Sequence, residues 1–72
     1  MADLHYGNRV RQRREALGLS REVLAQRVGT STSTMDRIEL KGHLPSVEVL
    51  RSLADMFDLT LDELLRDAEA AA

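Results

Sequence analysis

S-R-E-V-L-A-Q-R-V-G-T-S-T-S-T-M-D-R-I-E, from Ser20 to Glu39, reads as two short amphipathic helices separated by a glycine. Leu24 and Val28 stand i, i+4 ahead of Gly29, and Met35 and Ile38 stand i, i+3 after it, so both apolar stripes can face one core. Ala25 is small enough to lie where two helices cross steeply, and Gly29 can take the positive φ that the turn between them requires. What remains on the second helix is polar: Thr32, Ser33, Asp36 and Arg37 point away from that core. The pattern predicts a helix-turn-helix whose second helix presents a hydrophilic face, and it makes double-stranded DNA the leading partner.

Outward from this stretch, three more helices account for most of the chain. One is predicted over Asn8 to Leu17, with Val10, Arg14 and Leu17 on one side and Gly18 closing it. Ser20 is a good N-cap for the next, with Leu19 able to staple onto Leu24; Val23 stands where a capping box would have Glu. Thr30 or Ser31 caps the following helix, which is expected to reach Glu39 or Leu40. Lys41 to Pro45 reads as a loop, because Pro45 restrains its predecessor. Ser46 then caps a helix with Leu50, Leu53, Ala54 and Phe57 in one stripe. Thr60-Leu61-Asp62-Glu63 is a capping box opening the last, whose apolar side is Leu61, Leu64 and Leu65. The Ala68–Ala72 tail either extends that helix or frays. No strand pattern, repeat or linker is present.

Seventy-two residues make one domain, 1–72. A chain of this size buries about 60% of the surface its unfolded form exposes, so its core must be economical. The absence of cysteine excludes disulfides and thiolate chemistry. No apolar run approaches a membrane span and no signal-peptide pattern opens the chain, so a cytoplasmic protein is expected. One Tyr and one Phe are too few for a base-stacking platform on single strands. His5 and His43 are isolated and no activated carboxylate pair or phosphate-cradling loop occurs; neither an enzyme, nor a metal site, nor a cofactor is expected.

A formal charge of −2 is unusual for a nucleic-acid binder, but it is unevenly spread. Residues 1–30 hold six arginines against three acids, a balance of +3; residues 31–72 hold three arginines and one lysine against nine acids, a balance of −5. The acids gather in the last two helices. A polarised domain with weak non-specific affinity is expected.

The blocks R-E-A-L-G-L-S (Arg14 to Ser20), L-A-Q-R-V-G (Leu24 to Gly29), R-I-E (Arg37 to Glu39), P-S (Pro45, Ser46) and L-A-D-M-F-D-L-T-L-D-E-L-L (Leu53 to Leu65) follow one another at near-usual spacing. In them the chain resembles the Cro/C1-type, XRE-like helix-turn-helix regulators, over residues 8–65. The resemblance implies an all-α, five-helix, lambda-repressor-like fold and sequence-specific DNA binding by a transcriptional regulator, more often a repressor. Position by position it implies base contacts by Thr32, Ser33, Asp36 and Arg37, and phosphate contacts by Arg21, Ser31, Thr34 and Lys41. Arg37 is the strongest of these, since a guanidinium can bond guanine O6 and N7 together. Asp36 can accept from a cytosine amino group or orient Arg37. Arg14 and Glu39 match a structural ion pair tying the first helix to the end of the third.

The chain departs from the pattern at four places. Arg21 replaces a Gln that holds a phosphate and braces a recognition-helix side chain. Leu40 and Lys41 stand where a polar residue and a glycine are usual, which moves the end of the recognition helix one residue on; Lys41 and His43 can then approach the DNA backbone. Asp58 replaces a glycine after the fourth helix. The resemblance also implies a homodimer on a palindromic operator, with half-sites about 34–36 Å apart. Its interface candidates are Leu44, Leu59, Leu61 and Leu65. The rival reading is a protein-interaction or antitoxin-like module on the same fold, which the acidic balance and Asp36 favour.

Overall fold

In the computed structural model, which describes residues 5–66, the chain forms five helices. They are α1 (Tyr6–Ala16), α2 (Arg21–Val28), α3 (Thr32–Lys41), α4 (Val47–Met56) and α5 (Leu61–Leu65). Side-chain caps start all of them. The ring of His5 and the hydroxyls of Ser20, Ser31, Ser46 and Thr60 each accept a backbone N–H of the first turn, removing one of the donors that a helix start leaves without partners. Thr60 and Glu63 complete the capping box: each side chain accepts the other's backbone N–H. Those two bonds hold the Glu63 carboxyl below the usual carboxylate range.

Every helix contributes to one core. Val10, Leu24, Met35, Ile38, Leu53 and Leu64 are fully buried, at least one from each element. Burying an aliphatic side chain of this size is worth about 1.5–3 kcal/mol. Ala25, at 1% exposure, is part of this core, in which α2 packs against α3. The Thr30 N–H bonds the Ala25 carbonyl over Gly29, whose φ is 77°. The turn is thereby closed as the sequence pattern requires.

Three details differ from expectation, each for a local reason. α1 begins at Tyr6, not Asn8, because His5 serves as its cap. Leu17 does not join the Val10–Arg14 face: it is 52% exposed, since α1 ends at Ala16 and the chain reverses at Gly18. Leu19 packs against the core instead, its N–H on the Arg14 carbonyl. Lys41, expected in the loop, is the last residue of α3, which closes at Gly42. Asp58, as its replacement of a glycine implies, takes the left-handed conformation, φ 57°, that glycine would adopt without penalty. The alanine tail, Ala68–Ala72, lies outside the described residues.

Candidate nucleic-acid interface

The position of α3 is fixed from three sides. α1 crosses its C-terminal turn at Gly7, so closely that a Cβ there would lie 2.0 Å from the Ile38 carbonyl oxygen. Only glycine lets the two backbones approach this far. Beside that crossing, the buried Tyr6 donates its hydroxyl to the His43 carbonyl, pinning the segment after α3. Burial pushes the Tyr6 phenol well above its ordinary value.

The second tie is the expected pair of Arg14 and Glu39. Arg14 Nε donates to Glu39 Oε2 at 2.8 Å and Nη2 to Oε1 at 3.1 Å, while Nη1 donates to the Leu19 carbonyl at 2.8 Å. All three guanidinium nitrogens are satisfied, in a fork geometry suited to a carboxylate. The Glu39 side chain is 1% exposed, and its hydrogen bond raises the Arg14 pKa further above its ordinary value.

The partner in the third tie was not visible in the sequence. Arg21, on the first turn of α2, donates Nη1 to Asp36 Oδ1 at 3.0 Å, and its Nε lies 3.6 Å from Glu39 Oε1. Arg14, Glu39, Arg21 and Asp36 thus form a chain of alternating charge running from the α1–α3 contact to the outer face of α3. Their side-chain exposure is 11% and 1% for Arg14 and Glu39 at the inner end, and 38% and 45% for Arg21 and Asp36 at the outer. Arg21, expected to hold a phosphate in the place of a bracing Gln, thus braces α3 through Asp36, and Asp36 is bonded to Arg21 and not to the neighbouring Arg37 that it was expected to orient.

The outer face itself is as the pattern predicts. Thr32, Ser33 and Arg37 are exposed, and the Arg37 guanidinium has no hydrogen bond or ion pair among the described residues. At the start of α3, Ser31 Oγ accepts the Thr34 N–H at 3.1 Å and donates to Thr34 Oγ1 at 3.0 Å. The Thr34 hydroxyl proton is left available for an outside acceptor. Anions are favoured there by the positive end of the helix dipole. Lys41 is exposed at the opposite end. Sequence reasoning missed Leu40, which is 61% exposed and lies i+4 from Asp36 and i+3 from Arg37. The signal was its place on the polar ladder of α3, outside the Met35–Ile38 stripe.

Among the described residues no group of three or more His, Asp or Glu could hold a metal ion, and no helix is long and apolar enough to cross a membrane. Of the four interface candidates, Leu59 and Leu61 pack against the core, whereas Leu44 and Leu65 are 61% and 39% exposed.

The family described as "Helix-turn-helix domain" matches residues 5–67. The chain belongs to the Cro/C1-type helix-turn-helix family. Among family members, the P22 c2 repressor in its complex with a synthetic operator superposes with a TM-score of 0.81 at 29% identity, covering 92% of this chain and 98% of that one. An HTH-type transcriptional regulator of Bacillus subtilis, YazB, is 34% identical over 59 residues, 82% of this chain and 86% of its own length. A transcriptional regulator in the ATPase CF(0) region of Rhodospirillum rubrum is 37% identical over 67 residues, 93% of this chain. The chain spans 62% of the length of that relative.

Proposed function

We infer that the protein is a transcriptional regulator that binds double-stranded DNA sequence-specifically in the cytoplasm, as a homodimer on a palindromic operator, and that it acts as a repressor. The observation that carries this reading is the outer face of α3. It is held by a packed core and by the ion pairs of Arg14 and Arg21, yet it presents an Arg37 guanidinium without a partner among the described residues, beside exposed Thr32 and Ser33. Such a helix enters the major groove without reorganisation, and each bidentate contact to a base edge is worth about 1–3 kcal/mol of discrimination. Arg37 takes guanine, Thr32 and Ser33 take neighbouring base edges, and Leu40 offers its methyl groups to a thymine methyl. Ser31, Thr34 and Lys41 hold phosphates on either side. The likeness to a repressor solved on operator DNA supports the same reading.

A domain measuring 31 × 23 × 23 Å reads only a few base pairs. Two copies side by side put their recognition helices about one helical turn of DNA apart, the spacing that a palindrome supplies. Exposed Leu44 and Leu65 are the available apolar contacts for the second copy.

The test is a selection from random duplexes, repeated with Arg37→Ala. An enriched palindrome that loses one specified base pair on that substitution supports the reading. Absence of any enriched motif, with weak binding that disappears at moderate salt, sinks it.

A further inference from the structure

We propose that Arg21 acts through Asp36, not on a phosphate, and that the braced Asp36 carboxylate selects a base carrying an exocyclic amino group, cytosine N4 foremost, in the major groove. The proposal rests on the DNA-binding reading of α3 and names part of its specificity.

A carboxylate on a groove-facing helix is a liability. It stands among phosphates, and its charge opposes binding to every sequence alike. Arg21 removes that liability: its Nη1 lies 3.0 Å from Asp36 Oδ1, so the pair carries no net charge into the groove. The contact also fixes the carboxylate group. Oδ1 is taken, and Oδ2 has no hydrogen-bond partner among the described residues although the Asp36 side chain is 45% exposed. A carboxylate oxygen accepts hydrogen bonds and donates none. In the major groove, cytosine and adenine offer an amino donor, while guanine and thymine present acceptors there that a carboxylate oxygen repels. Asp36 therefore discriminates by attraction to one pair of bases and by repulsion from the other.

The brace is itself held. Arg21 Nε lies 3.6 Å from Glu39 Oε1, and Glu39 is locked by Arg14. The guanidinium of Arg21 is stretched between two carboxylates of α3 one turn apart. This position leaves Arg21 directed at the helix, and an arginine so directed does not add a phosphate contact.

Four variants separate the possibilities on the full chain. In Asp36→Asn the amide oxygen can still accept from Arg21, and the amide nitrogen replaces the unpaired acceptor with a donor. Duplex selection followed by competition binding should show a wild-type preference of about five- to tenfold for cytosine or adenine at one position of each half-site. Asp36→Asn should move that preference to guanine or thymine and leave the other positions unchanged. Arg21→Ala should flatten the same position, as should Asp36→Ala, and the double variant should flatten it no further. Melting curves on each variant show that the protein assayed is folded.

Unchanged base preferences in Asp36→Asn, with a wild-type motif present, overturn the proposal and leave DNA binding standing. So does an Arg21→Ala variant that weakens all sequences equally and lowers the salt slope by about 0.9, the mark of a lost phosphate contact. A wild-type protein that enriches no motif overturns both.

Discussion

Replacing Glu39 with alanine should be among the most damaging single changes available to this fold. Glu39 is 1% exposed and receives two hydrogen bonds from Arg14, a side chain itself only 11% exposed. Without the carboxylate, a guanidinium charge and two N–H groups remain in a site closed by α1 and α3. Breaking one side of a buried pair costs about 3–5 kcal/mol. Arg14 keeps its bond to the Leu19 carbonyl and has a narrow outlet to solvent, which places the loss near the lower end, about 3 kcal/mol. For a domain of this length that lowers Tm by roughly 12–24 °C. The total stability available is only about 4–11 kcal/mol at typical values per residue. Urea titration and calorimetry of wild type, Glu39→Ala, Arg14→Met and an Arg14→Met/Glu39→Leu double variant form the test. The double variant should recover to within about 1 kcal/mol of wild type, because a well-packed apolar pair carries no desolvation debt. A Glu39→Ala loss below about 1 kcal/mol, or strictly additive effects, would refute the argument that this pair is buried and coupled.

Gly7→Ala should destabilise by about 3 kcal/mol, against the usual helix gain of about 1 kcal/mol for this exchange. Its Cβ would fall 2.0 Å from a backbone oxygen that cannot move aside; a raised Tm would refute the crossing. Tyr6, the only tyrosine in a chain without tryptophan, can be followed alone by tyrosinate absorbance. Its folded-state pKa is raised, so the stability it lends is complete below the unfolded value of about 10 and is lost as pH climbs above it. Ionisation should coincide with alkaline unfolding seen by circular dichroism, and a normal titration in a folded protein would contradict this. Asp58→Gly should raise stability by about 0.5–1 kcal/mol in denaturant titration, because the native φ of 57° strains Asp and not Gly, with part of the gain offset by a freer unfolded chain.

The features legible in the sequence are those set by near neighbours. Ser20, Ser46 and the Thr60–Glu63 box mark helix starts because their oxygens satisfy N–H groups two or three residues on. The Met35–Ile38 stripe faces inward, which leaves Thr32, Ser33 and Arg37 outward by geometry alone. Arg14 and Glu39 are 25 residues apart and were legible only through the family resemblance.

The start of α1 was hidden for another reason. Gly7 is a poor helix former by local rules, and its value lies in a backbone crossing with Ile38 that no local rule contains. Leu17 continues the period of α1 but falls after the helix has ended, so periodicity assigned it to a face that no longer exists there. The Arg21–Asp36 contact depends on how the Gly29 turn swings α3 against α2, and a one-dimensional pattern holds no such angle.

The division of α3 into an inward and an outward face bears on how such a regulator diversifies. Met35 and Ile38 are committed to folding, so variation there is purged for reasons unrelated to the operator. Thr32, Ser33, Arg37 and Leu40 are exposed, so a library randomised at these four positions should keep a nearly constant melting temperature while its preferred operators scatter. New recognition can be acquired there in single steps through folded intermediates. Asp36 is different. It can switch its base in one step only by exchange for a side chain that still accepts from Arg21, as Asn does; any other exchange leaves Arg21 unmatched and passes through a mismatched ancestor or arrives as a pair.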